Sequence, residues 1–584
     1  MKGYQLNRLK RKVDKLLTRD NGSQLAWLLA ATLLVILVAI AIVKLVFNDD
    51  SMVWQDVIGA FIDSGYSLEA GPHYVFRLVL AILSTFLFSA LLISVFTNLF
   101  DNVREAVANG ERRYKLSHHV VVFGSGRHAL AIAEQLAAQG KKVVVATAQM
   151  LDVTQDIYFF HGEQDDEAHV RSTCPDKADC IYIVGDDPAD DALNLTTLSL
   201  LKQLTADASH PIHCFITLHE RTSTEVYQRL KRGTAAEHPM LQVDMVDEYE
   251  YEAEQLLVNT PFLPILVDGD DRRAHFIVLG SGQMAVAMAH ELAHICHYPS
   301  YARKGLRTVI TLIGEGMTHC LHSQMAARPS LFALSHYRLT TAEGTTVHLP
   351  EGEDILDVEW HFVDAGDQSP IARQVMADSV AGDDAEVRVI VCHEDIGAGT
   401  ESLLHLPDCV RAKASIALYA TRDAVLARQA ISTGLYGDVT LFGSADSHYD
   451  LLYNERLLGG QWVNGFYSGV SDQAAAEAAW RTISEADKCS SIYCACALPL
   501  RVACFGKDGA TRAVYEAEHR RWVMSELLMG WKPGEKTDKS RYVHADIVPF
   551  NKLPVAEQEK DKRIIDAYFS QAGYNSTEQD AAQI

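Results

Sequence analysis

The sequence predicts a membrane α segment, two helices plus a re-entrant loop, followed by α/β: two tandem parallel-sheet domains and a small, mostly α C-terminal domain. Three observations predict it. Two long apolar blocks fall in the first hundred positions, a strand, glycine turn and helix pattern occurs twice, and the last stretch changes to helical spacing. At 584 residues the chain exceeds one core, and domains of about 100 to 200 residues imply three to five units. The net charge of -24 argues against nucleic acid as a partner, because phosphate backbones are held by clustered Lys and Arg. Eleven cysteines without CxxC spacing indicate neither a disulfide framework nor a zinc site, and Cys494 and Cys496 read as alternating strand residues.

The predicted organisation is a basic N-terminus (1–24), a membrane domain (25–100), a linker (101–117) and a first α/β domain (118–260). A second α/β domain (274–450), a connecting α/β region (451–510), a C-terminal domain (511–570) and a disordered tail (571–584) follow. Leu25 to Phe47 is 23 residues long with one charge, Lys44, and about 20 apolar residues span a bilayer. A cleaved signal peptide is the competing reading, but the apolar run is too long and no small-residue cleavage site precedes Asn48. Leu78 to Phe100 is a second span. Lys and Arg flank both spans on their outer sides, whereas the connection holds Asp49, Asp50, Asp56, Asp63 and Glu69, so both termini are expected in the cytoplasm.

The connection reads as a re-entrant loop over 52–72. Trp54 to Ile62 has helical spacing yet is too short to span, and Asp63, Ser64, Gly65 and Tyr66 then break the pattern. Irregular backbone at membrane depth is tolerated where it lines a water-filled path, and a ring of carboxylates there attracts monovalent or divalent cations. An ordinary external hairpin is the alternative. On the second span Ala81, Thr85, Ser89, Leu92 and Phe96 share one face, read as a pore wall ending in an apolar gate, with close helix packing an equal reading for Ala81 and Ser89.

His118 onward gives a buried strand, a glycine turn and an amphipathic helix closed by Gly140. Gly124, Ser125, Gly126, Arg127 and Ala129 match the Rossmann pattern G-x-G-x-x-G/A, in which backbone N–H groups at a helix start receive phosphate. Ala146 and Thr147 stand where a ribose-binding acid is usual. The pattern recurs with Gly280, Ser281, Gly282, Gln283 and Ala285, and there Glu315 is placed for a ribose. For each turn a tight connection without ligand is the alternative. NAD(H) or another adenine nucleotide is the expected cofactor class. No GxSxG or GxxxxGK[ST] occurs, and an enzyme is not expected. Asp186, Asp187, Asp190 and Asp191, and Asp268, Asp270 and Asp271, lack EF-hand spacing and read as solvated loops.

Two spans bracketing a pore-like segment before two Rossmann units resemble channels bearing regulator-of-potassium-conductance domains, over about residues 20 to 450. Asp63-Ser64-Gly65 resembles the filter of the CASTOR and POLLUX channels and their bacterial relatives, with Tyr66-Ser67 in place of Asn-His. Gly65-Tyr66 is also similar to the end of a potassium filter, but the residues around it are missing. Glu518-His519, Arg521-Trp522, Gly530-Trp531, Gly534, His544, Val548-Pro549, Leu553 and Lys560-Asp561 resemble the ryanodine-receptor repeat (RyR) domain, with Ala545 replacing its usual proline. That resemblance implies a site for adenine nucleotides or related small ligands, with Arg521, Trp522, Trp531, Lys532 and His544 as contacts. A core role is the competing reading for both tryptophan rings. Together the resemblances imply a ligand-gated cation channel in a bacterial inner membrane, assembled as a homotetramer. A non-conducting membrane-anchored nucleotide sensor and a membrane-tethered NAD-dependent oxidoreductase are the rival readings.

Overall fold

The computed structural model describes residues 21–48, 52–62, 73–152, 156–185, 187–219, 223–224, 227, 240–350, 352–420, 425–432, 439–443, 455–470, 472–506 and 511–581. The chain divides into two compact units, Met1–Arg113 and Tyr114–Ile584.

In the first unit a helix runs over Asn21–Ile42 and continues as a π-helical stretch, Val43–Phe47. A second helix extends over Tyr74–Ala108. It is longer than the expected 78–100 and absorbs the first half of the expected linker, because Asp101 to Ala108 lacks Gly or Pro to break it. At 1.5 Å per residue it measures about 50 Å, well beyond a bilayer core of about 30 Å. Both helices expose large apolar side chains, among them Leu33, Leu37, Phe86 and Ile93, which is the surface a lipid environment requires. Between them Val53–Ile58 and Gly59–Ile62 form a short helical segment. Its Val57 is fully buried in a cluster with Ala39, Val43, Met52 and Leu80. Asp63, Ser64, Gly65 and Tyr66 lie outside the described residues.

The second unit begins with strands β1 (Val120–Phe123), β2 (Val143–Thr147), β3 (Ile157–His161), β4 (Cys180–Ile183), β5 (Ile212–Leu218) and β6 (Leu241–Asp247). They form one parallel sheet in the order 3-2-1-4-5-6, the doubly wound order of a Rossmann unit. Four-residue runs such as Val120-Val121-Val122-Phe123 are buried throughout, as a strand covered by helices on both faces must be. A second sheet holds β7 (Arg273–Leu279), β8 (Thr308–Gly314), β11 (Val358–Asp364), β12 (Ala385–Val391), β13 (Ser415–Tyr419) and β14 (Val439–Phe442). These repeat the same order, and the hairpin β9 (His336–Thr341) and β10 (Gly344–His348) adds to the edge beside β11.

Residues 455 to 505 correct two expectations. The connecting region 451–510 is not α/β but three helices, Glu455–Tyr467, Gln473–Trp480 and Glu485–Phe505. Cys494 and Cys496 sit in the third helix, not a strand. The alternation of CACALPL does not override the helical burial of Ile492, Tyr493, Ala497 and Leu500. This helix is apolar enough to cross a membrane, yet 61% of its apolar window is inside the protein against 11% for each N-terminal span, so it is core. Helices Arg512–Leu528 and Val555–Ala581 complete the C-terminal part. The second runs on to Ala581 where 571–584 was expected as a disordered tail, since Gln571 to Ala581 contains only one glycine as a helix breaker.

Candidate functional site

Both glycine turns lie at the C-terminal edge of the first strand of their sheets, where doubly wound proteins place ligands. In the first, Gly124 has φ of +140°, and a Cβ there would lie 2.2 Å from the Val184 carbonyl oxygen. Only glycine fits. Ser125 is half-buried, Gly126 caps the Arg127–Ala138 helix, Arg127 is exposed, and Ala129 is fully buried against the sheet. Ala146 is buried at the end of β2 and Thr147 accepts a hydrogen bond from Gln149 N–H, so no acid stands at the usual ribose position.

Beside the first turn lies a buried polar triad that the sequence pattern does not reveal. Glu248 Oε1 lies 3.0 Å from His128 Nδ1, and Glu248 Oε2 lies 2.8 Å from His219 Nδ1. His219 Nε2 lies 2.9 Å from the Gly185 carbonyl oxygen, and its backbone N–H donates to Asp191. Both ring nitrogens of His219 therefore face acceptors and both must carry hydrogen, which makes the ring an imidazolium. Burial alone would lower the His219 pKa, but the hydrogen bond and charge of Glu248 outweigh it and hold the ring at about 9. Burial would raise Glu248, and the two histidines instead hold it at about 2. His128 follows the turn directly, and its place at the start of an amphipathic helix was the one signal available. Glu248 and His219 are brought in from 120 and 91 positions away.

In the second turn Gly280 has φ of +129°, Ser281 is exposed, Gly282 caps the Gln283–Ile295 helix and Gln283 is its first residue. Glu315 is exposed just beyond β8, and Gly314 abuts Gly280 and Ser281 so closely that a Cβ would lie 3.0 Å from either. Glu394 Oε1 accepts from Gln283 N–H at 2.7 Å and lies 3.4 Å from Met284 N.

A third candidate lies in the C-terminal part, a cleft of about 680 Å³ between the Glu455–Tyr467, Glu485–Phe505, Arg512–Leu528 and Val555–Ala581 helices. Arg521, Trp522 and His544 line it, while Trp531 and Lys532 do not. Trp531 is 5% exposed and packs on Tyr542 and His544, the core role that was its competing reading. Lys532 is exposed at the start of a two-residue strand. Arg521 is buried on the floor, donating to Glu518 at 2.7 Å and to Ser525 at 3.1 Å, so its charge is already met. The His544 ring lies edge-on to Trp522 at 4.8 Å, and its Nδ1 accepts from Asp546 N–H. Burial lowers its pKa, which leaves a neutral ring with Nε2 as donor.

The lining also includes residues not singled out as contacts: Tyr467, Phe466, His519, Lys539, Lys560 and Arg563. Lys539 pairs with Asp487 and Lys560 with Glu557, while Arg563 lies over the Phe466 ring at 5.6 Å. Cations and carboxylates alternate around aromatic faces. That lining favours a ligand with a planar ring and polar groups of both kinds over a simple anion.

Among the described residues no group of His, Cys, Asp or Glu is arranged to hold a metal ion. Asp187 and Asp190 form a capping box, and Asp270 and Asp271 pair with Arg272, Arg303 and Lys304.

No protein-family model matches the chain, and no curated protein matches it. Among solved structures it is similar to GsuK bound to ADP, at 15% identity and a TM-score of 0.36, over 74% of this chain and 98% of that one. It is similar to the GsuK channel bound to NAD at 13% identity and a TM-score of 0.35, over 72% and 80%. A dipicolinate synthase chain from Bacillus halodurans aligns at 11% identity and a TM-score of 0.18, over 56% and 88%.

Proposed function

We propose that the chain is one protomer of a ligand-gated cation channel. NAD(H) or another adenine nucleotide, bound at a glycine turn or in the C-terminal cleft, sets its open probability. The observation that carries the reading is the short helix Val53–Ile62, buried by its Val57 between two apolar spans. A segment too short to cross and held at membrane depth by protein is the arrangement a re-entrant filter requires. Two spans cannot enclose a path alone, so the reading needs several copies, and a homotetramer is the assembly proposed. Thr85, Ser89, Leu92 and Phe96 are exposed along the Tyr74–Ala108 helix and are available to line the path. That helix is a continuous rod longer than the bilayer, suited to carry movement of a cytoplasmic ring to the pore.

The proposed location is a bacterial inner membrane with both termini cytoplasmic, and the C-terminal cleft is proposed as an RyR-type sensor. Ligand acts only by binding the open ring more tightly than the closed one and leaves unchanged. The test is cation flux from liposomes holding the full chain, with and without ADP or NAD, beside Asp63→Ala. Nucleotide-dependent flux that the substitution abolishes or alters supports the channel. Nucleotide binding without flux under any condition favours a non-conducting sensor, and turnover of the nucleotide favours an oxidoreductase.

A further inference from the structure

In a dinucleotide site the second glycine of the turn lets a phosphate approach the helix start, since any side chain would fill that space. At Gly282 the space exists but is filled from within. A Cβ on Gly282, whose backbone is ordinary in φ, would lie 2.4 Å from Glu394 Oε1. The same oxygen takes the Gln283 N–H that a phosphate oxygen would need. Glu394 comes from the loop after β12, 111 positions along the chain.

Its placement is fixed from both sides. His393 Nε2 lies 3.0 Å from Asp367 Oδ2, an aspartate that also accepts from Ser402 Oγ. Asp395 caps the following helix through Ala398 N–H at 2.8 Å. With its neighbours so held, the backbone at 394 delivers a carboxylate to the turn. A plain helix cap would more simply be a Ser or Asp at position 282 itself; glycine there with a distant glutamate keeps the geometry of an anion site and supplies the anion internally.

Resting on the reading of these turns as nucleotide sites, we propose that Glu394 determines specificity at the second one. Its carboxylate occupies the phosphate position, so the second Rossmann unit excludes nucleotide phosphates. Two anionic oxygens cannot share one N–H at the positive end of a helix, and the resident one is tethered. Ligand binding then belongs to the first turn and the C-terminal cleft, and the second unit serves as a structural partner despite Glu315 at the ribose position.

The test counts ADP bound per full-length chain in detergent by equilibrium dialysis, for wild type, Glu394→Ala and Glu394→Gln. Glu394 is exposed outside the core, and the glutamine variant keeps its size should the alanine variant fail to fold. The expected result is one additional ADP per chain for Glu394→Ala, and loss of that gain when Gly282→Ala is added to it. Glu394→Gln, which lacks the charge, should bind the additional ADP more weakly than Glu394→Ala. Equal numbers and affinities in all three proteins overturn the proposal. Failure of the wider reading looks different: wild type binds no ADP, whatever Glu394→Ala does.

Discussion

Replacing Glu248 by Gln removes one charge from the buried cluster beside the first turn and leaves its shape, and the consequence follows from how His219 is held. His219 sits at about 9 beside Glu248, against about 6.5 for a free histidine, so roughly 2.5 units at 1.36 kcal/mol each give about 3 kcal/mol. The side chain is 3% exposed, so solvent screening removes little of this. A raised folded-state pKa means the stabilisation is complete below about pH 6.5 and is lost as pH rises through about 9. Glu248, held at about 2, contributes wherever pH stays above about 4.5 and loses its share only in strong acid. Denaturant unfolding of the Tyr114–Ile584 unit in the full chain, followed from pH 6 to 9.5, measures both proteins. Buried thiols and phenols also weaken the fold at high pH, but they are common to both proteins and cancel in the difference. The gap between wild type and Glu248→Gln should be largest at pH 6 and shrink by about 3 kcal/mol by pH 9.5. A gap that stays constant across that range refutes the imidazolium assignment.

Gly124→Ala places a Cβ 2.2 Å from the Val184 carbonyl at a φ of +140°; a loss of about 2 to 4 kcal/mol is expected in the same unfolding measurement, with weaker ADP binding. Arg521→Met leaves Glu518 buried without its close partner on the cleft floor, and breaking such a pair costs about 3 to 5 kcal/mol; restoring neutrality with Glu518→Gln should recover part of it. Trp522→Ala, at a half-buried ring on the cleft wall, should reduce nucleotide-dependent flux at least tenfold at limiting ligand and change unfolding by less than Arg521→Met. Glu291 is fully buried with neither oxygen hydrogen-bonded, and burial pushes its carboxyl well above the usual range. Glu291→Gln should therefore stabilise the protein at pH 7.5 and leave it little changed at pH 4.5, because above the unfolded pKa the wild type loses stability as the unfolded chain ionises.

The two sheets were legible because a doubly wound strand is a short apolar run and its first turn needs glycine. VVVF, VVVAT and CIYIV could be read directly, and so could their counterparts from His275. β6 was not, since Asp244 and Asp247 interrupt an edge strand whose side chains are only half covered. The β9–β10 hairpin escaped for a similar reason: Thr345 and Thr346 of β10 face solvent and give no apolar alternation. Helix Glu485–Phe505 misled because it is apolar nearly all round, and periodicity then cannot separate a buried helix from a strand. At the sites, the glycines and Trp522 were visible in the sequence because they serve local geometry or a family pattern. Glu394, Glu248 and His219 were not: Glu394 meets Gln283 from 111 positions away and Glu248 meets His128 and His219 from 120 and 29, and in one dimension each is an ordinary loop or strand-end residue.

The position of the C-terminal cleft matters as much as its lining, because its floor is wired to the second Rossmann unit. Arg521 meets Glu518, Glu518 lies 3.8 Å from Arg501, and Arg501 donates to the His297 carbonyl just past the Gln283–Ile295 helix. Asp357 then receives both His297 and Arg520, and His294 joins Ser525 while stacking on Tyr493 at 3.8 Å. Every link is nearly dry, so moving one charge leaves another buried and uncompensated, at a cost of several kcal/mol. A displacement of Arg521 is therefore expected to be felt at the Gln283–Ile295 helix, which begins at the turn that Glu394 occupies. The same helix thus runs from the turn that Glu394 occupies to the contacts beneath the C-terminal cleft.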